Sequence, residues 1–298
     1  MTAAREIGIQ WRKIAEAIGM AQSNASRKYG PARTRRQAHR SYEDFVAEQV
    51  EYAGSAAYER DVAFWRARAD EIPSSIPPTS AHTDVTGIET VRTVPIAPDD
   101  WREVLRFARH AAATPFTVIL TCLGRALRHL VGQSRIAIGL SVSMRPPEGY
   151  EAVVGNFTNI VPVVLDLRSG PLLRQVGHTT DAVLDSFDHA RVPIQDILPA
   201  QTGQNRRDRA QPLTVTATTY AQHDRLTLPR GGTAHTVPVH RGASKVGLSV
   251  YLAVGADSAE IHVVSGASRQ VIGSGPVADE LRAEICRLVR ERDTSIGA

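Results

Sequence analysis

The 298 residues are 42% apolar and 22% charged, which excludes a disordered chain and leaves room for one large or two medium globular domains. No uninterrupted apolar run approaches the ~20 residues a membrane span needs, and MTAAREIGIQWRK lacks the apolar core of a signal peptide, so the expected setting is cytoplasmic, with no membrane partner. The net charge of +4 is unevenly placed: residues 1–40 hold nine Lys/Arg against two Asp/Glu, and the remainder is net acidic.

Residues 1–40 read as a basic helical arm. WRKIAEAIGMAQSNASRKYG sets Ile14, Ala15, Ile18, Met20 and Ala25 where a helix-turn-helix takes small or apolar residues. Gly19 falls at the turn, and Gln22, Ser23, Asn24 and Arg27 are the candidate DNA-binding side chains. GPARTRRQAHR adds four arginines suited to phosphate contacts. Against this, few residues precede the pattern, and Lys28 stands where an inward residue is usual. A basic amphipathic helix pair is the plainer reading.

From residue 41 to residue 298 the pattern is globular. SYEDFVAEQVEYAGSAAYERDVAFWRARADEI reads as two helices, followed by the Pro- and Ser-rich linker PSSIPPTSAHTD. After the strand TVRTVPIA, Asp99 or Asp100 is placed to cap the helix WREVLRFARHAAA. Thr114 caps the next helix with Pro115 in its first turn, and Gly132 ends it. Its Phe116, Ile119, Leu120, Leu123, Leu127 and Leu130 form one apolar stripe. IAIGLSVS and VVGNFTNIVPVVLDL are strands, and PLLRQVGHTTDAVLDSFDHA is a helix with Leu173, Val176, Val183, Leu184 and Phe187 inward. PLTVTATTY, TVPVH, VGLSVYLAVG and AEIHVVSG follow as strands, and VADELRAEICRLVRER closes as a helix. This alternation predicts an α/β fold, a mixed β-sheet covered by helices.

Generic chemical motifs are missing: the sequence has no Gly-rich phosphate loop, HExxH, CxxC or GxSxG. Cys122 and Cys286 lie far apart in apolar helical patterns and offer neither a disulfide framework nor a Cys-rich metal site. GADSA (255–259) superficially matches a carrier-protein attachment site, but strands flank it, so a hairpin turn is the better reading.

Six segments, in one order across residues 41–292, resemble the motifs of nonribosomal peptide synthetase condensation domains. SYEDFVAEQVEY, with Tyr42, Asp44 and Phe45, is similar to YxDFxxW, and FWRARAD follows as that family's Phe/Tyr-Trp helix. TPFTVILTCLGRALRHLVGQSRIAIGLSVSMRPPE resembles the long helix, turn, strand and arginine loop, with Arg145 as the loop arginine. VVGNFTNIVPVVLDL resembles IGxFVNTLPLR, aligning Gly155, Phe157, Asn159 and Pro162, with Asn156 between them. HARVPIQDIL resembles HQDYPFEKL in His189, Pro193 and Leu198. RRDRAQPLTVTATTY resembles RDxSRNPLFQVMF in Arg207, Asp208, Pro212 and Leu213, and SKVGLSVYL resembles SKFDLTLxL in Ser244, Lys245 and Leu248.

The resemblance implies one lobe, the C-terminal one, of the chloramphenicol-acetyltransferase-like (CoA-dependent acyltransferase) fold. It implies carrier-protein domains as partners, delivering acyl groups on a phosphopantetheine arm, with no resident cofactor or metal. Gly155, Asn156, Phe157, Asn159, Arg145 and Ser244 would then line the substrate channel or lobe interface. The family's HHxxxDG motif, whose second histidine serves the attacking amine, is absent from the 298 residues, so no catalytic residue is assigned. The histidines considered as substitutes, His178, His189, His235 and His240, read as solvated or structural. Three functional readings follow: a lobe needing a partner N-lobe chain or self-association, or inactive alone; a DNA-binding regulator using residues 1–40; and a non-catalytic docking module for carrier domains.

Overall fold

A computed structural model describes residues 40–69, 72, 90–168, 170–197, 215–221, 226–227, 233–234, 247–255, 257–265 and 272–295. The candidate DNA-binding residues Gln22, Ser23, Asn24 and Arg27, together with Arg207, Asp208, Ser244, His235 and His240, lie outside the described residues.

Local chemistry sets the helix starts. Ser41 opens α1 (Tyr42–Ala53) with a capping box: its hydroxyl accepts from the Asp44 amide and the Asp44 carboxylate accepts from the Ser41 amide. Ser55 caps α2 (Ala56–Ala67) in the simpler way. After β1 (Thr90–Ile96), α3 (Pro98–His110) corrects one expectation. Neither Asp99 nor Asp100 is the cap; Ala97 is, with no side-chain bond, and Pro98 pre-sets the first turn. The aspartates lie inside that turn, where they favour the helix dipole.

The next helix, α4 (Pro115–Val131), matches its signals. Thr114 accepts from the Thr117 amide at 3.1 Å, and Gly132 ends the helix at φ 72°, a left-handed conformation open to glycine. Its burial exceeds one stripe, since Val118, Cys122 and Ala126, outside that stripe, are all sealed from water. The cause is position: α4 lies between α5 (Leu172–Asp188) and α7 (Ser274–Ser295) and packs on β2 (Arg135–Ser143). A Cβ on Gly124 would stand 2.6 Å from Leu165 Cδ1, so a glycine lets the helix approach the sheet.

The remaining elements are β3 (Thr158–Asp166), the single turn α6 (Ile194–Ile197), β4 (Val215–Ala221), the two-residue β5 (Leu226–Thr227) and β6 (Thr233–Ala234), β7 (Leu248–Val254) and β8 (Ala259–Ser265). Six strands form one sheet in the order β1-β8-β7-β4-β2-β3. The β2–β4 and β4–β7 pairings are parallel and the others antiparallel, the expected mixed sheet. Pro162 lies in β3 at the sheet edge, where its missing N–H breaks no ladder. Gly255 donates to the Ser258 carbonyl at 2.9 Å in the β7–β8 connection, so GADSA is a hairpin turn. On α5, Val176 and Val183 point inward as read, but Leu173 is exposed and Leu172 takes the buried position.

Candidate functional site

The stretch GNFTN runs from a bend at Gly155 into the start of β3, with the bend folded against the start of α1. The Gly155 backbone passes so close to the Tyr42 ring that a Cβ there would meet it at 2.2 Å. Tyr42 donates from its hydroxyl to the Asn156 carbonyl at 2.9 Å, and the Asn156 side chain accepts from the Thr158 amide at 3.0 Å, closing an Asx turn. Phe157 is buried against Phe45 at 4.6 Å between centroids, with Tyr42 edge-on at 5.3 Å and Tyr150 at 6.0 Å. The Arg145 guanidinium lies 3.9 Å from the Phe157 centroid and donates to the carbonyls of Tyr150 and Val153. Burial, then a hydroxyl bond to Glu48 on α1, pushes the Tyr150 phenol above its ordinary value. Tyr42, Phe45, Arg145, Gly155, Asn156 and Phe157 thus converge in one aromatic knot, from two segments far apart in the chain.

Asn159 faces elsewhere. Its side-chain amide donates to the Ala190 carbonyl at 2.8 Å and the Val192 carbonyl at 2.7 Å, tying β3 to the corner after α5. That corner holds His189 and Pro193. The His189 carbonyl accepts from Trp65 Nε1 at 3.0 Å, its ring stacks on Phe64 at 3.7 Å, and its Nδ1 meets Asp61 Oδ1 at 2.8 Å. The second Asp61 oxygen accepts from Tyr52, over whose ring the Arg191 guanidinium sits at 3.8 Å. Burial and this bond to Asp61 drive the Tyr52 phenol far above its usual range. Pro193 accepts from the amides of Asp196 and Ile197 to form α6, and Asp196 accepts from Tyr58 at 3.0 Å. The corner is a latch holding α1 and α2 against the end of α5. Sequence reading missed Tyr52, Tyr58, Asp61 and Trp65 as its members, because each partner lies on another element.

Sequence reading also missed His262. The alternation in AEIHVVS puts it on the sheet face away from α4, and the strand registers align Thr93, His262, Tyr251 and Thr218 in one row across four strands. His262 is 6% exposed and its Nδ1 stands 3.3 Å from the Thr93 hydroxyl. His178 is exposed on α5, as expected for a solvated histidine.

His129, Glu280 and Glu284 could together offer ligand atoms within 4.8 Å of one another. Arg287 already pairs with both glutamates and Arg125 with Glu284 at 2.6 Å, so guanidinium groups occupy the cation position. This cluster is a partly exposed ion network joining α4 to α7, with Glu284 as its buried member.

A family model described as "Condensation domain" matches residues 26–229. Cyclosporin synthetase of Tolypocladium inflatum is 27% identical over 175 residues, which is 58% of this chain and 1% of that protein. Enniatin synthetase of Fusarium oxysporum is 26% identical over 191 residues, 61% of this chain and 6% of that one. Among solved structures, the condensation domain from Monacolin K polyketide synthase superposes with a TM-score of 0.69 at 19% identity, covering 92% of this chain and 65% of that one. The epimerization domain from the third module of tyrocidine synthetase B gives 0.64 at 19% identity, covering 95% and 66%. The chain therefore spans a small fraction of its curated relatives and about two thirds of these two structures.

Proposed function

This chain belongs to the condensation-domain family, and on that footing we propose that it acts in amide-bond formation between carrier-bound thioesters only when completed by a second lobe bearing HHxxxDG. In that reaction the acceptor amine attacks the donor thioester carbonyl. The carbonyl oxygen takes up negative charge, the C–S bond breaks, the phosphopantetheine thiol leaves, and the amine nitrogen gives up a proton. The chemistry needs positioning, a group beside the amine, and donors for the oxyanion. The phosphopantetheine arm belongs to the substrate, carried by a partner domain.

One observation carries this reading. The described motif residues build a scaffold, the aromatic knot and the corner latch, while the described histidines are engaged in it or stand apart. His189 is committed to Asp61 and Phe64, His129 faces Glu280, and His262 is enclosed beside Thr93. The names of the relatives favour aminoacyl or peptidyl thioesters as substrates, and carrier domains as partners. No helix among the described residues is long and apolar enough to cross a membrane, which is compatible with the cytoplasmic setting proposed here. The test adds a separately produced first lobe carrying HHxxxDG, with aminoacyl-loaded donor and acceptor carriers, and follows the amide product by mass spectrometry. Product should form faster in the mixture than with either lobe alone. A mixture no faster than its parts refutes the proposal.

A further inference from the structure

Two of the four strongly exposed large apolar side chains among the described residues share one helix face, and a third lies in the bend that packs on the start of that helix. Val46 and Val50 are 46% and 68% exposed one turn apart on the outer face of α1, and Val154 is 94% exposed beside Gly155, on which Tyr42 of that helix packs. Ala47 and Ala53 continue the apolar surface at helical spacing. A concentrated apolar face of this kind marks a contact rather than a solvated helix. Its rim is acidic. α1 carries Glu43, Asp44, Glu48 and Glu51 and no basic residue. Asp44 is held in the capping box and Glu48 by Tyr150 and Arg40, whereas Glu43 and Glu51 flank the valines with no cation among the described residues.

We propose that residues 1–39 of this same chain cover the Val46–Val50 face of α1. Three observations select that occupant. Residues 1–39 hold eight Lys/Arg against two Asp/Glu, the sign that complements Glu43 and Glu51. They also carry apolar residues at helical spacing, Trp11, Ile14, Ala15 and Ile18, to meet the valines. Finally, their point of attachment is already beside α1. Arg40 reaches Glu48 at 3.5 Å, lies 5.9 Å from the Tyr150 centroid, and brings its Cγ against Gly149. A segment tethered there faces α1 at high effective concentration, which favours it over the same segment on a second copy. The basic arm then serves an internal acidic helix, and this reading is independent of whether the lobe takes part in amide formation.

The test uses the full chain with a photo-crosslinking residue, Val50→benzoylphenylalanine, irradiated at low protein concentration and mapped by mass spectrometry. Crosslinks within one chain to residues 1–39 are expected. The same probe at Leu173, which is 42% exposed on α5, serves as the control and captures little of that segment. Adding Glu43→Lys and Glu51→Lys to the Val50 probe should lower capture about fivefold, as the loss of two surface charge pairs implies. Crosslinks that join two copies, capture of residues 1–39 that is equal at both probe positions, or none at all would each overturn the inference.

Discussion

Asn159 provides the sharpest test of the scaffold, because its two donors end on carbonyls of Ala190 and Val192, residues 3% and 0% exposed. Asn159→Ala removes two hydrogen bonds, each worth ~1 kcal/mol net, and leaves two poorly solvated acceptors; a loss of ~2–4 kcal/mol follows. Asn159→Asp keeps the shape and reverses the chemistry, since an ionised carboxylate faces two carbonyl oxygens. That site disfavours the charged form, so the folded-state pKa rises above the ordinary carboxylate value of about 3.9. A raised pKa gives stability that is present below the unfolded-state value and lost as pH rises through the folded-state value. The aspartate variant should therefore be less stable than the alanine variant at pH 7.5, and recover relative to it near pH 4, where the neutral carboxyl can donate one bond. Urea unfolding midpoints at the two pH values read this directly. An alanine variant within ~0.5 kcal/mol of the parent, the range of a neutral surface change, would refute the bracing role. An aspartate variant indifferent to pH would refute it equally.

Other perturbations follow from the same contacts. Glu284 is 2% exposed and accepts from Arg125 at 2.6 Å, so Glu284→Gln should cost ~1–3 kcal/mol in urea unfolding by taking the carboxylate from Arg125, while Arg287 keeps Glu280. Gly155→Ala drives a methyl into the Tyr42 ring and should destabilise by ~1–3 kcal/mol, with the effect largely absent in a Tyr42→Ala background where the ring is gone. Tyr52 has its phenol raised by burial and Asp61, so its contribution is present below pH 10 and lost as pH climbs through the raised value. Unfolding midpoints of the parent should fall more steeply above pH 10 than those of Tyr52→Phe, and parallel curves would contradict the Tyr52–Asp61 bond.

What could be read from residues alone was local. Thr114, Pro115 and Gly132 bracket α4 as expected because caps act through neighbouring amides and one left-handed residue. The cap of α3 was misassigned because two aspartates near a helix start satisfy both a cap and a first-turn pattern, and Pro98 decided between them. Leu173 and Leu172 are adjacent on α5, and only the packing partner tells which faces in. The family motifs marked Gly155, Phe157, Asn159 and His189 without saying what they touch. Tyr42 lies 114 residues from Asn156, and Asn159 lies 31 and 33 residues from its two acceptors. No periodicity encodes such pairings. The same holds for Asp61, whose two partners come from α1 and the end of α5.

The most direct measurement for the functional reading is the rate of amide formation by this chain alone, supplied with loaded donor and acceptor carriers. Without a second lobe the rate should equal that of the carriers by themselves, in the parent and in variants lacking His189 or His262 alike. Clear acceleration by the lone chain would contradict the need for an HHxxxDG lobe, and its loss in one of those variants would identify a base within this lobe.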